Sequence, residues 1–155
     1  MHEARLAQLG ITLPGPFPPH DPLDAVVVHG GIARTSGQLP RDVAGNIRTG
    51  LLGRDLTPAE GAEAAGLCAL NALSVLRAAL GSLDRIERVL TVTAFIACTD
   101  DFVQQPAVAD GASHVLMQVF DAAGRHSRSA IGVAALPRGG AVEIEVTVAL
   151  DEGDS

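Results

Sequence analysis

Near the C-terminus, Val142-Glu143-Ile144-Glu145-Val146-Thr147-Val148 alternates strictly between apolar and polar side chains. A period of two is the signature of a half-buried strand, so the chain must build a sheet with one covered face. Leu136-Pro137-Arg138-Gly139-Gly140 supplies a turn just before it. Upstream, Arg128, Ala130, Gly132 and Ala134 share one face of a preceding strand. The two strands are expected to pair as a hairpin turning near Arg138-Gly139. Glu143 would then oppose Ala134, and Arg128 would lie about 20 Å further along the ladder, out of reach within one chain.

The rest of the chain reads in order. Leu6 and Leu9 suggest a short N-terminal helix stopped by Gly10, and the proline-rich run from Leu13 to Pro22 is a strap laid over the surface. Asp24-Ala25-Val26-Val27-Val28 and Ile32-Ala33-Arg34-Thr35-Ser36 flank His29-Gly30-Gly31, a hairpin signal, and the stretch on to Leu56 reads mostly as loop. Thr57-Pro58-Ala59-Glu60 is a capping box with proline at the first helical position, opening a helix that Gly81 should stop after Leu80. Its apolar stripe is Ala65, Ala69, Leu73, Leu76 and Leu80, with Glu60, Glu63, Asn71, Ser74 and Arg77 assigned to the other side. Val89 to Ile96 is a strand with Leu90, Val92, Ala94 and Ile96 on one face and Val89, Thr91, Thr93 and Phe95 on the other. Pro106 opens a second helix that Gly124 ends, and residues 151–155 form an acidic tail expected to be disordered.

The resulting order, β-β-loop-α-β-α-β-β, is that of an α+β domain over residues 1–150. Two right-handed crossovers place both helices on one face of a mixed sheet. The other face, with its Thr, Val, Ala and Phe residues, is too apolar to leave in water, which predicts packing against other subunits.

Composition excludes several classes of function. A net charge of -7 and the absence of Trp and Tyr argue against nucleic acid and anionic lipid as partners. No stretch reads as a signal peptide or a membrane span, and two distant cysteines, Cys68 and Cys98, read as buried small hydrophobes in a reducing, cytoplasmic setting. The five histidines show no metal-ligand spacing. Gly111-Ala112-Ser113-His114-Val115 begins like a nucleophile elbow, but it lacks the last glycine and falls inside a predicted helix.

The chemistry rests on few groups. Arg128, beside small neighbours, presents a planar fork of donors suited to a carboxylate, or it pairs with an acidic residue across an interface. Glu143 is either a solvated strand residue or a functional carboxylate. His126 is a structural or supporting group, and Arg125 and Arg138 are surface or interface charges that would raise the local potential for an anion.

The run Arg128-Ser129-Ala130-Ile131-Gly132-Val133-Ala134-Ala135-Leu136-Pro137, followed by Val142-Glu143-Ile144-Glu145, resembles the C-terminal signature of the RidA/YjgF family of enamine and imine deaminases, also labelled endoribonuclease L-PSP. Thr35-Ser36-Gly37-Gln38-Leu39-Pro40 resembles that family's Ser-Gly-Gln-hydrophobic-Pro segment, and the likeness covers roughly residues 23–150. It implies a chorismate-mutase-like fold and a homotrimer with active sites between subunits. It further implies hydrolysis of 2-imino acids to 2-keto acids and ammonia, with neither metal nor cofactor. Arg128 would anchor the substrate carboxylate and Glu143 would position or deprotonate water. Ser36, Gly37 and Ala130 would line the pocket, with His126 as a supporting group. The chain departs from the pattern at Ala130, where many members carry cysteine, and at Leu23, where many carry an aromatic. A non-catalytic trimer binding a small carboxylate or a protein is the alternative, and a ribonuclease or translation inhibitor ranks last.

Overall fold

The computed structural model describes residues 1–151, and the expected acidic tail lies outside them from Glu152 on. Helix α1 (His2–Gln8) and a proline strap precede β1 (Val26–His29) and β2 (Ile32–Thr35). After a long loop come α2 (Pro58–Leu80), β3 (Ile86–Ala97), α3 (Gln105–Phe120), β4 (Ser127–Val133) and β5 (Val142–Leu150). The strands form one mixed sheet in the order β1-β2-β5-β3-β4, with β3 and β4 parallel and the other neighbours antiparallel. Both long helices pack on each other and on the same face of the sheet, giving the α+β architecture expected.

The hairpin expected from the C-terminal motif does not form. β5 inserts between β2 and β3, while β4 lies on the far side of β3 and runs parallel to it. A parallel neighbour needs a crossover, which α3 provides, and segment 134–141 then carries the chain past the end of β3. Twelve-residue β3 thus gains a partner along each edge, where a β4–β5 hairpin would leave one edge unpaired. The β1–β2 turn forms as expected, Gly30 and Gly31 taking φ of +59° and +77°.

Local signals fixed the start of α2. Thr57 Oγ1 accepts from the Glu60 amide at 3.2 Å, Glu60 accepts from the Thr57 amide at 3.0 Å, and Gly81 closes the helix at φ +85°. Its polar side, however, is not all solvent-facing: Asn71 is 2% exposed and Ser74 4%. Asn71 Nδ2 donates to the Arg41 carbonyl at 2.9 Å, tying the loop after β2 to the helix. By length and mean hydropathy, 1.3 over an 18-residue window, α2 also meets the requirement for a membrane span, correcting the expectation that no stretch does. Its alanines raise the hydropathy, and most of that window is buried against the sheet and α3.

On β3 a register shift lets Val89 face Val148 and Thr91 face Thr147, so Leu90 is the extra residue of a bulge. Val89 therefore turns into the core while Leu90 is half-exposed, the reverse of the strict alternation expected. Beyond the bulge, Val92, Ala94 and Ile96 face the helices, and Thr91, Thr93 and Phe95 face the open side. Glu143, Glu145 and Thr147 lie opposite those three residues on β5. The open face also carries an ion pair, Arg34 to Glu145 at 3.1 Å, alongside exposed Val27 and Ile131.

Candidate functional site

Glu143 is placed by the alternation of β5. Val142 and Ile144 point into the core, so Glu143 points onto the open face beside Phe95. The segment after β2 closes over it. Gln38 and Ile144 exchange two backbone hydrogen bonds, at 2.9 and 3.0 Å, drawing Gly37 against the Glu143 side chain. A Cβ at position 37 would overlap the Glu143 carboxylate, so glycine there leaves room for the carboxylate to lie where it does. Pro40 then leaves the ladder, and Ser36 is fixed by its amide and hydroxyl donating to the Ala25 carbonyl at 2.8 and 3.4 Å. Half-burial pushes the Glu143 carboxyl above the usual range, and neighbouring Glu145 adds to the shift. A carboxylate so placed accepts a proton more readily than an exposed glutamate does.

Next to this segment, Ser36, Gly37 and Arg41 line a small cleft with Phe17 of the strap. The Arg41 guanidinium stands over the Phe17 ring, 5.1 Å from its centroid. Leu23 is half-exposed at the strap's end, and Phe17, which carried no signal beyond its place among prolines, is the aromatic at this cleft. Cys68 lies beneath, fully buried, its thiol at 3.4 Å from the Val142 carbonyl and its pKa pushed well up by burial.

Arg128 is on the other face. Its register partner is Val92, which points to the helices, so its side chain reaches α3. Nη1 donates to Asp110 Oδ1 at 2.9 Å and to Ser113 Oγ at 3.0 Å, and Nη2 donates to the Pro106 carbonyl at 3.3 Å. The ion pair expected across an interface is thus made within the chain. By register, Glu143 stands two strands across and three residues along from Arg128, about 14 Å away and on the opposite face. The two are out of reach of each other, as expected, but the intervening strand and the sheet itself separate them, not the length of a hairpin.

His126, just before β4, joins the Arg128 cluster. Its Nδ1 lies 2.6 Å from the Gly124 carbonyl and its Nε2 2.9 Å from Ser113 Oγ. Ser113, Met117, Arg125, His126 and Arg128 line one cavity of roughly 440 Å³. Further along the strand the shelf of small residues is partly filled. Ala130 packs on the core, and Gly132 is covered by Cys98 and Gln105, whose side chains leave no room for a Cβ. Cys98 is only half-buried, which corrects its reading as a core residue. Asp110 was missed because the helix was read for its apolar stripe, and Ser113 was weighed only as part of an incomplete nucleophile elbow. Their spacing of three was the available signal, since it puts both on one face of α3. Among the described residues no group of three metal-ligating side chains converges.

The family model described as "YjgF/chorismate_mutase-like, putative endoribonuclease" matches residues 3–144. Protein TCP17 of Trypanosoma cruzi is 44% identical over 149 residues, spanning 96% of this chain and 93% of TCP17. A crystal structure of a protein of unknown function from Agrobacterium tumefaciens superposes with a TM-score of 0.87 at 41% identity, covering 97% of this chain and 92% of that one. A protein from Shewanella oneidensis with the same endoribonuclease description superposes with a TM-score of 0.92 at 30% identity, covering 97% and 99%.

Proposed function

The chain belongs to the YjgF/chorismate-mutase-like family, and from that premise we propose that it hydrolyses reactive 2-imino acids, the tautomers of enamino acids, to 2-keto acids and ammonia. The work is done in clefts between the subunits of a homotrimer. One subunit contributes Glu143 with Ser36 and Gly37, and another contributes Arg128 with Ala130 beside it. The observation that carries the reading is the Glu143 carboxylate, half-buried over Gly37 with a raised pKa, where a solvated strand residue would have neither property. Water adding to a carbon-nitrogen double bond needs a base for its proton and a substrate held still.

Arg128 suits the second task. Three contacts on α3 hold its guanidinium, leaving Nε–H and one Nη2–H without a partner among the described residues. Two such donors match a substrate carboxylate. Because Arg128 and Glu143 lie on opposite faces of the same sheet, a shared site requires a neighbouring subunit. The open face, with Val27, Phe95 and Ile131, is the surface against which that neighbour packs.

The test is 2-keto acid release when the protein is added to 2-iminopropionate generated in situ. Arg128→Ala is expected to lower kcat/KM by roughly 100-fold, from loss of a charge-assisted anchor. Glu143→Gln is expected to lower kcat by about 10²-fold or more, from loss of a general base. Unchanged turnover in both variants removes the mechanism. The Arg128–Asp110 ion pair favours a second reading, a non-catalytic carboxylate-binding trimer, since a substrate must share that guanidinium with Asp110. Stabilisation of the fold by pyruvate, without imine turnover, would favour it.

A further inference from the structure

The cleft beside Gly37 is built from donors. Gln38 commits both of its backbone groups to Ile144 of β5, so the amides of Gly37 and Leu39 on either side of it point to the opposite edge of the segment. The strap leading into β1 runs along that edge, and Phe17, Pro18 and Pro19 wall the cleft there. Neither amide has a hydrogen-bond partner among the described residues. Arg41 adds a guanidinium to the same lining, half-buried and laid over the Phe17 ring at 5.1 Å. Among the described residues that guanidinium makes no hydrogen bond or ion pair, and no acidic residue lines the cleft.

The backbone around Arg41 is held firmly. Its amide donates to the Leu39 carbonyl at 2.9 Å, its carbonyl accepts from buried Asn71 of α2 at 2.9 Å, and the Arg48 amide donates to the preceding Pro40 carbonyl at 3.0 Å. The adjacent carboxylate, Asp42, is turned into its own loop, where Oδ1 accepts from the amides of Ala44 and Asn46 at 3.0 and 2.9 Å. The chain has eleven basic and eighteen acidic residues, and Arg34, Arg48, Arg54, Arg77 and Arg128 each carry an acidic partner. Arg41 keeps its fork open in a chain with carboxylates to spare. The ring covers one face of the guanidinium, and the N–H groups, which lie in its plane, are left to take an anion.

We propose that Arg41 is a specificity-determining residue: with the amides of Gly37 and Leu39 it binds a second carboxylate, so that the preferred substrates are 2-imino acids whose side chain ends in a carboxylate. The inference rests on the imine-hydrolysis reading above, which gives the 1-carboxylate to Arg128 and leaves the donors of the cleft for the other end of the molecule. Gly37 joins the two places. Its backbone lines the cleft, and a Cβ on it would meet the Glu143 carboxylate. A side-chain carboxylate seated in the cleft therefore holds the substrate beside the proposed base. An uncharged side chain in the same position would strip water from the guanidinium and both amides and give them no acceptor, which discriminates against it.

The experiment compares kcat/KM for 2-iminosuccinate and 2-iminoglutarate with that for 2-imino-4-methylpentanoate, which has the shape of the first without its second charge. The proteins are the wild type, Arg41→Met and Arg41→Lys. The wild type is expected to favour at least one dicarboxylate by about 10²-fold. In Arg41→Met that preference should disappear, and in Arg41→Lys, which keeps the charge but not the fork, it should be intermediate. A wild type without the preference overturns the proposal and leaves imine hydrolysis standing. So does equal loss on every substrate in Arg41→Met, since a residue that only supports the strap leaves the preference where it was. If the wild type turns over no imine, the hydrolysis reading falls, and calorimetric titration with oxaloacetate and 4-methyl-2-oxopentanoate decides the second carboxylate. Binding of oxaloacetate alone, lost in Arg41→Met, keeps Arg41 as its anchor, and any other pattern overturns that too.

Discussion

Glu143 shows what a single position trades. Its carboxyl is pushed above the ordinary range by burial first and by Glu145 second, so the fold favours the protonated form relative to the unfolded chain. The sign of the linkage follows. Stability is fully present below the ordinary carboxylate pKa and is lost as pH rises through the raised value in the folded protein. Glutamine at 143 cannot ionise, so Glu143→Gln should melt at a higher temperature than the wild type at about pH 7, with the difference vanishing near pH 4. Thermal melts at the two pH values check this, and a neutral-pH Tm below that of the wild type would mean that the ionised carboxylate is stabilising. The same substitution is expected to lower turnover under the proposed mechanism, so the proposed role of Glu143 carries a cost in stability. Under the proposed mechanism the raised pKa also places the acid limb of the activity profile above where an exposed glutamate would put it.

At the scale of elements, the contact between α2 and α3 is set by glycine. A Cβ on Gly111 would overlap the backbone of Ala62, so the two helices meet there closer than any side chain allows. Gly111→Ala should therefore destabilise by about 1–3 kcal/mol despite alanine's better helix propensity, read as a Tm lowered by several degrees. A stabilised variant would mean that the helices separate freely. The local signals were legible in the sequence: the Thr57-Glu60 box, Gly81 and the Gly30-Gly31 turn each depend on neighbours in the chain. Pairings between distant segments were not. β4 and β5 look like a hairpin because they are consecutive, and only the competition for the edges of β3 decides otherwise. Asn71 reads as solvent-facing because the loop it bonds to lies elsewhere in the sequence.

For the whole molecule, the same distinction separates the two halves of the candidate site. Ser36, Gly37 and Glu143 were legible as motif residues, and close packing on Gly37 joins them. Arg128 was legible as well, but its partners Asp110 and Ser113 were hidden inside a helix whose facing strand could not be read. The sheet then puts Arg128 and Glu143 on opposite faces, so the proposed shared site requires a neighbouring subunit. Mixing two inactive proteins tests this. Arg128→Ala and Glu143→Gln are combined, their subunits exchanged under mild denaturation and refolding, and 2-iminopropionate hydrolysis is followed. In a symmetric head-to-tail trimer each cleft takes Arg128 from one subunit and Glu143 from the next, so random exchange should restore roughly a quarter of wild-type activity. If the exchanged mixture stays as inactive as its parents while the wild type turns over, the two residues do not share a cleft between subunits.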